Sequence, residues 1–454
     1  MIHRVQAALD AIQTEGTFAA RLRCPAEDLA IEVKGVGPLR LPLSAAAARK
    51  LSSLAQPAPF GLRDRTLHDP NIRDTGEIKR SLVKIDGRRW KPVLQAQLAQ
   101  IQRHLGLPAE GRLDAVFDKL LVYGPGQFFA PHKDSERSDD MIGTLTVELP
   151  SAYSGGAFVV AHRGQRQEFR RSPVSGKELT LLAFYADCTH EARPVKSGWR
   201  VVLTYELRYQ RESVSKRQAR PSAASSPLSE SIAAYFDTPM PDPYSRSAPQ
   251  KPDRLTYLLD HQYTQRSLSW ERLKGADSPR AEALRQVAAQ RDCEIYLALA
   301  DVHETWECES EDWGGGYSSR RGYGRSRWGY APEDDAEDSD SAQDDADQHT
   351  LLSLISSEIA LSHFINAQGK RARSMEASPA SGEVCLTRAS RELKCFKSEH
   401  EGWMGNYGNT VDRWYHRAAV VMWPAERNFI LRAKMEPAWA LDELWAQIKS
   451  NRAQ

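Results

Sequence analysis

Between residues 118 and 207 the chain is a succession of short runs rich in β-branched and aromatic residues: Leu120–Gly124, Met141–Pro150, Gly155–Gly164, Glu178–Asp187 and Trp199–Leu207. Gly and Pro separate them at spacings that predict an all-β barrel or sandwich. Upstream, residues 4–13 read as a short helix. Leu29–Leu43 alternates apolar and polar positions around a Gly-containing turn, which predicts strand, turn, strand. Lys91–Leu105 has helical periodicity and stops at Gly106, where a left-handed C-cap is expected.

The pattern breaks after residue 207. Seven prolines lie between Pro221 and Pro252, mixed with Ser and Arg, so residues 213–254 read as a Pro/Ser-rich linker with one short helix around Leu228–Phe236. Asp277-Ser278-Pro279 then opens a helix with proline at its first position. Cys293–Val302 reads as a strand, Leu351–Ile365 as a helix, residues 384–434 as mostly strand, and Pro437–Lys449 as a final amphipathic helix. The expected organisation is a first domain over 1–212 with its motif core at about 118–207, the linker, and a C-terminal α+β domain over 255–454. Within the latter, residues 313–330 are rich in Gly, Arg and Tyr, and 333–347 hold nine acids and no base. Such a stretch, about 313–347, has little to bury and repels itself, so a mobile insert is expected.

Charge and composition narrow the function classes. Lys and Arg total 61 and Asp and Glu 60 in 454 residues, a net charge of +1. That balance argues against a protein built to live on nucleic acid, which needs a basic surface. Six cysteines without any C-x-x-C pair do not make a disulfide scaffold. No apolar run approaches membrane-spanning length, and the amphipathic N-terminus lacks a signal-peptide core. The expectation is a soluble cytoplasmic protein with no membrane partner.

The chemistry concentrates in Tyr123–Asp134, which reads YGPGQFFAPHKD. His132 and Asp134 are two apart, so on a strand both point to one face and can meet one ion. His190, in the run FYADCTHE, supplies a second imidazole. Two imidazoles and one carboxylate leave three coordination positions open, the facial arrangement of O₂-activating non-haem iron sites. An H-x-D pair alone carries little weight, so its context decides. Lys196-Ser197-Gly198 can make a tight turn, which puts His190 and Arg200 on adjacent strands. Arg200, Val202 and Thr204 then share one face, and a guanidinium with a hydroxyl beyond it suits a carboxylate ligand. On its own, Arg200 reads as a strand-edge ion pair.

Taken together, residues 120–207 resemble the Fe(II)/2-oxoglutarate-dependent oxygenases, specifically the prolyl 4-hydroxylase-like branch, whose pattern is H-x-D, a distal His and a basic residue about ten positions later. His132, Asp134 and His190 match the iron ligands, and Arg200 matches the residue that pairs with the distal carboxylate of 2-oxoglutarate. Thr204 and Tyr123 match positions that hydrogen-bond the same cosubstrate in some relatives. Gly143-Thr144-Leu145, Gly155-Gly156 and the Ala-Phe-Tyr-Ala-Asp run before His190 also look like the family. Phe129 stands where some relatives carry a cosubstrate-binding Tyr, and Asp134 argues against halogenation, since halogenating relatives lack that carboxylate. The resemblance implies a double-stranded β-helix (jelly-roll) oxygenase core with supporting helices. It implies Fe(II), 2-oxoglutarate and O₂ as cofactors, with ascorbate a further candidate. The implied reaction is C–H hydroxylation coupled to decarboxylation to succinate, on a protein or peptide side chain with proline the first guess.

Two rival readings are an oxidative nucleic-acid demethylase, which would need a basic groove, and a non-catalytic interaction module on an oxygenase fold. His303, Cys308, Cys385, Cys395 and His400 fit no zinc spacing. Cys188 reads as a small buried residue. His162 and Arg163 read as a loop after a strand, either touching substrate or solvated.

Overall fold

The computed structural model describes residues 1–12, 16–62, 65–170, 177–211, 226–239, 249–309, 350–387, 395–401 and 409–452. The expected mobile insert at 313–347 and most of the 213–254 linker lie outside these, although the short helix expected there is present as Ser226–Asp237. Among the described helices, none is long and apolar enough to cross a membrane.

Two antiparallel sheets carry the first half of the chain. The larger has seven strands in the order Ala19–Pro25, Glu178–Tyr185, Met141–Glu148, Arg200–Gln210, Arg112–Tyr123, Gly76–Lys79, Gln56–Pro57. The smaller has five: Gln165–Phe169, Phe158–His162, Thr189–Ala192, Phe128–His132, Arg73–Asp74. Their apolar faces meet in one cluster. Phe158 of the smaller sheet, for example, lies 5.5 Å from Phe184 of the larger, centroid to centroid. This is the expected jelly roll. The helix Gly87–His104 covers the outer face of the larger sheet. Asp86 caps it by accepting from Arg88 N, and it buries Trp90, Leu94, Leu98 and Ile101, one stripe at helical spacing. Trp90 Nε1 donates to the Tyr205 hydroxyl at 3.1 Å, and Gly106 takes the left-handed conformation foreseen for it.

One expectation about the sheets fails. His190 and Arg200 do not lie on adjacent strands. His190 belongs to the smaller sheet and Arg200 to the larger. Between them Val195–Gly198 forms a separate two-stranded ribbon with Tyr153–Gly155. At Gly198 (φ +75°) a Cβ would stand 2.1 Å from Ala152 O, so only glycine lets the chain pass from one sheet to the other here.

The chain forms two compact units: residues 1–300, 361–393 and 417–454, and residues 301–360 and 394–416. The first unit holds the jelly roll and a second hydrophobic cluster. In the latter, Leu255–Leu258 pairs antiparallel with the 419–422 stretch and parallel with Val384–Leu386. The helix Asp277–Gln290 buries Ala281, Leu284 and Val287 there. The first helix, Ile2–Asp10, contributes Val5 and Leu9 to this second cluster. In the other unit, Lys397–Glu401 pairs with Thr410–Trp414, and His303 stacks on Trp414 at 4.7 Å.

Leu351–Ile365, expected as a helix, is part of the strand Leu351–Asn366, next to Cys293–Cys308 in its sheet. Its apolar residues suit either period, and the hydrogen-bonding partner, remote in sequence, decides. Within 384–434 the described strands are Val384–Leu386, Lys397–Glu401 and Thr410–Pro424, and the helix Asn428–Met435 follows.

Candidate active site

The strand Phe128–His132 pairs with Thr189–Ala192 so that His132 stands directly opposite His190. The two rings are 4.1 Å apart. Asp134 lies just past the end of its strand, and the chain turns its carboxylate back so that Oδ1 is 3.6 Å from His190 Nε2. One ligand atom from each of His132, Asp134 and His190 lies within 4.8 Å of the others. Both imidazoles have a fixed tautomer. His132 Nδ1 donates to Ala130 O at 2.8 Å and His190 Nδ1 to Cys188 O at 3.1 Å, so each Nε2 keeps its lone pair. Phe129 stacks on the His132 ring with centroids 3.4 Å apart, and the Arg73 guanidinium lies 4.3 Å from the Phe129 centroid.

The electrostatics favour a neutral His132 and an ionised Asp134. Burial, then the neighbouring His190, lowers the His132 pKa to about 3, and the opposing pull of Asp134 does not restore it. Burial pushes Asp134 up, but His190, His132 and the Thr144 hydrogen bond outweigh it, and its pKa is lowered. Thr144 Oγ1 donates to Asp134 Oδ2 at 2.5 Å.

A cavity of about 380 Å³ runs from these three residues to Arg200, and Tyr123, Thr146, Val202 and Thr204 also line it. Arg200 is 2% exposed. Its Nε donates to Glu148 Oε2 at 3.0 Å, while its Nη2 is buried with no hydrogen-bond partner among the described residues. Its guanidinium lies 5.4 Å from the centre of the Tyr123 ring, and those two residues are directly paired across the sheet. Thr204 faces the same cavity, but its hydroxyl proton goes to Lys119 O at 3.2 Å.

Glu148 and Thr144 are supporting residues whose roles sequence reasoning missed. Tyr153 is a third, since its hydroxyl donates to Glu148 Oε1 at 2.5 Å. A signal for the first two existed. Along Met141–Glu148 the polar residues Thr144, Thr146 and Glu148 alternate with the buried Leu145 and Val147, so one face of an otherwise apolar strand is polar. That face supports Asp134 at one end and Arg200 at the other.

His162 and Arg163 do not line this cavity. His162 is buried and stacks on His261 at 4.5 Å, and Arg163 pairs with Asp260 at 2.9 Å, so neither forms a solvated loop. Cys188 is fully buried, as expected. His303 bonds Asp412 at 2.8 Å and forms no zinc-like cluster among the described residues.

Residues 119–207 match the 2OG-Fe(II) oxygenase superfamily, and the domain they form belongs to it. It is an Fe(II)- and 2-oxoglutarate-dependent dioxygenase, using iron, 2-oxoglutarate and O₂. Among solved structures, a Pseudomonas putida prolyl 4-hydroxylase is 20% identical, covering 45% of this chain and 98% of its own, with a TM-score of 0.28. A Trichoplax adhaerens prolyl hydroxylase, solved with a hypoxia-inducible-factor peptide, is 16% identical over 40% of this chain and 83% of its own, with a TM-score of 0.26. Likenesses this loose fix no substrate. No curated protein matches the chain.

Proposed function

We propose that His132, Asp134 and His190 hold the iron and that Arg200 binds the distal carboxylate of 2-oxoglutarate. The observation that carries this is a paired one: two imidazoles with free Nε2 lone pairs beside an ionised carboxylate, and across the same cavity a buried guanidinium with an unpartnered Nη2. The donor set suits Fe(II), with imidazole and carboxylate on one side and open positions on the other. The orphaned nitrogen suits a carboxylate, because a buried donor left unmade is costly.

When bound, iron with O₂ and 2-oxoglutarate supplies the oxidising power that hydroxylates a C–H bond, leaving succinate and CO₂. The chain's part is placement. Ala130 O and Cys188 O fix the imidazole tautomers, Thr144 orients Asp134, and Glu148 holds Arg200 by Nε, which leaves Nη2 for the cosubstrate. Tyr123 packs beside that guanidinium. Thr204 joins as an acceptor, or as a donor once it releases Lys119 O.

The substrate is a protein or peptide side chain, with proline the first to test. This rests on the resemblance of residues 120–207 to the prolyl 4-hydroxylase-like branch. Cavity size supports it: about 380 Å³ is at the small end for ligand sites, so with the cosubstrate seated the remainder suits a side chain better than a large free metabolite. Six free cysteines support a reducing, cytoplasmic setting.

The test is His132→Ala, Asp134→Ala and His190→Ala, each assayed for Fe(II)-dependent succinate release with ascorbate present, and for metal binding. Each variant is expected to lose both while staying folded. Wild-type turnover by any one removes that residue from the site.

A further inference from the structure

The segment 261–275, from the second half of the chain, touches residues beside all three proposed iron ligands. Lys133, between His132 and Asp134, donates through Nζ to Gln262 Oε1 at 2.8 Å. Glu136, two residues after Asp134, accepts from Thr264 Oγ1 at 2.6 Å and lies 3.6 Å from Lys274 Nζ. Asp187, three residues before His190, accepts from His261 Nδ1 at 3.0 Å, from Gln262 N at 3.1 Å and from Lys274 Nζ at 3.3 Å. Lys274, 1% exposed, therefore joins the loop after Asp134 to the turn before His190. That same turn is gripped again through Tyr185, whose hydroxyl accepts from Gly275 N at 3.2 Å and donates to Leu105 O. The turn includes Cys188, whose carbonyl holds the His190 ring.

We propose that Lys274 and His261 are positioning residues for the iron centre: Lys274 ties Asp187 to Glu136, His261 holds Asp187 from a second side, and together they fix the loops that carry His190 and Asp134 and so make metal affinity a property of the C-terminal half as well as of the jelly roll. The proposal rests on His132, Asp134 and His190 being the iron ligands. Outer partners that orient ligands in this way typically change metal affinity 10–100-fold when removed.

His162, Asp187 and His261 also lie close enough together to hold an ion. The Asp187 environment argues that they instead form part of this clamp. Its oxygens already accept from His261 Nδ1, Gln262 N and Lys274 Nζ, and the last of these is an ammonium at 3.3 Å. A divalent ion there would meet a buried cation.

The experiment uses the full chain, with Co(II) as the probe. The dissociation constant and the visible d–d spectrum are measured together with the thermal midpoint for Lys274→Met, for Lys274→Gln, which keeps an N–H donor, and for His261→Leu, which removes one donor and no fixed charge. Lys274→Met is expected to weaken Co(II) binding by about tenfold or more and to change the spectrum. Lys274→Gln should recover part of the loss, and His261→Leu should shift affinity in the same direction. Should Lys274→Met not fold, His261→Leu carries the test. Wild-type affinity and spectrum in the folded variants, whatever their midpoint, would overturn the proposal by reducing the clamp to a structural role. A second Co(II) per chain, lost in His162→Ala, would overturn it by making Asp187 a ligand. His190→Ala separates the two levels: if it binds Co(II) like wild type, the ligand assignment itself fails and the clamp with it.

Discussion

Arg200 makes two demands on one side chain, and they can be separated. In the structure its Nε serves Glu148 while Nη2 is unpartnered. Arg200→Lys keeps the positive charge but removes the planar fork, so one ammonium must serve either Glu148 or the cosubstrate carboxylate. The loss is one hydrogen bond to a charged group, about 1.5–3 kcal/mol, which at 1.4 kcal/mol per decade is about 10–150-fold in the 2-oxoglutarate dissociation constant. Arg200→Ala goes further. It strands the Glu148 carboxylate, which is 15% exposed, and breaking a buried pair costs about 3–5 kcal/mol. Stability and affinity therefore fall together in Arg200→Ala, whereas Arg200→Lys lowers mainly affinity. The assay is calorimetric titration of 2-oxoglutarate into the Mn(II)-loaded protein under nitrogen, with thermal midpoints measured in parallel. An unchanged dissociation constant in Arg200→Lys would refute the clamp and leave Arg200 as the structural partner of Glu148.

Thr144→Val removes the hydroxyl that orients Asp134 while keeping the side-chain shape. It should weaken Fe(II) or Co(II) binding by about tenfold with little change in midpoint, and metal titration checks it. Buried His162 has its pKa lowered to about 3, chiefly by burial and then by His261. The unfolded chain binds this proton near pH 6.5 and the folded one does not, so the stability held above about pH 6.5 is lost as pH falls toward about 3. Urea unfolding of the metal-free protein across this range should show a smaller acid loss in His162→Phe than in wild type, with a difference on the order of a few kcal/mol at the acid end. Equal slopes would show that the site is hydrated or protonated in the fold.

The proposed site was legible because its residues fall in a short, unusual pattern: His132 and Asp134 in one run, His190 and Arg200 in another, each flanked by strand-forming residues. The alternation that places Arg200, Val202 and Thr204 on one face also holds, since all three line the cavity. What the sequence hid depends on pairings remote in the chain. His190 and Arg200 are ten residues apart yet sit on opposite sheets, because the ribbon at Val195–Gly198 intervenes. Glu148 meets Arg200 only because Met141–Glu148 lies beside Arg200–Gln210. Asp187 looks like part of a family-like run, and nothing nearby in sequence shows that His261 and Lys274 will bind it. The strand Leu351–Asn366 was misread for the same reason: its local pattern permits a helix, and a neighbouring strand overrules it.

The first helix, Ile2–Asp10, shares its core with Leu228, Tyr257, Leu284 and Met422. On the ribosome this sets an order of events. The jelly roll has all its strands once Gln210 has emerged, and domains generally fold as they emerge. The helix Ile2–Asp10 packs on Ser226–Asp237 and Val384–Leu386, so it must wait for segments made after the jelly roll. At about 5–20 residues per second, the roughly 220 residues that separate it from Ser226–Asp237 take on the order of 10–45 s. For that time Val5 and Leu9 lack these partners, and their cluster is complete only after Val384–Leu386 follows. A ribosome stalled after residue 212 would therefore present a formed β-core with the apolar face of Ile2–Asp10 uncovered, open to chaperones or to the same helix on a neighbouring chain.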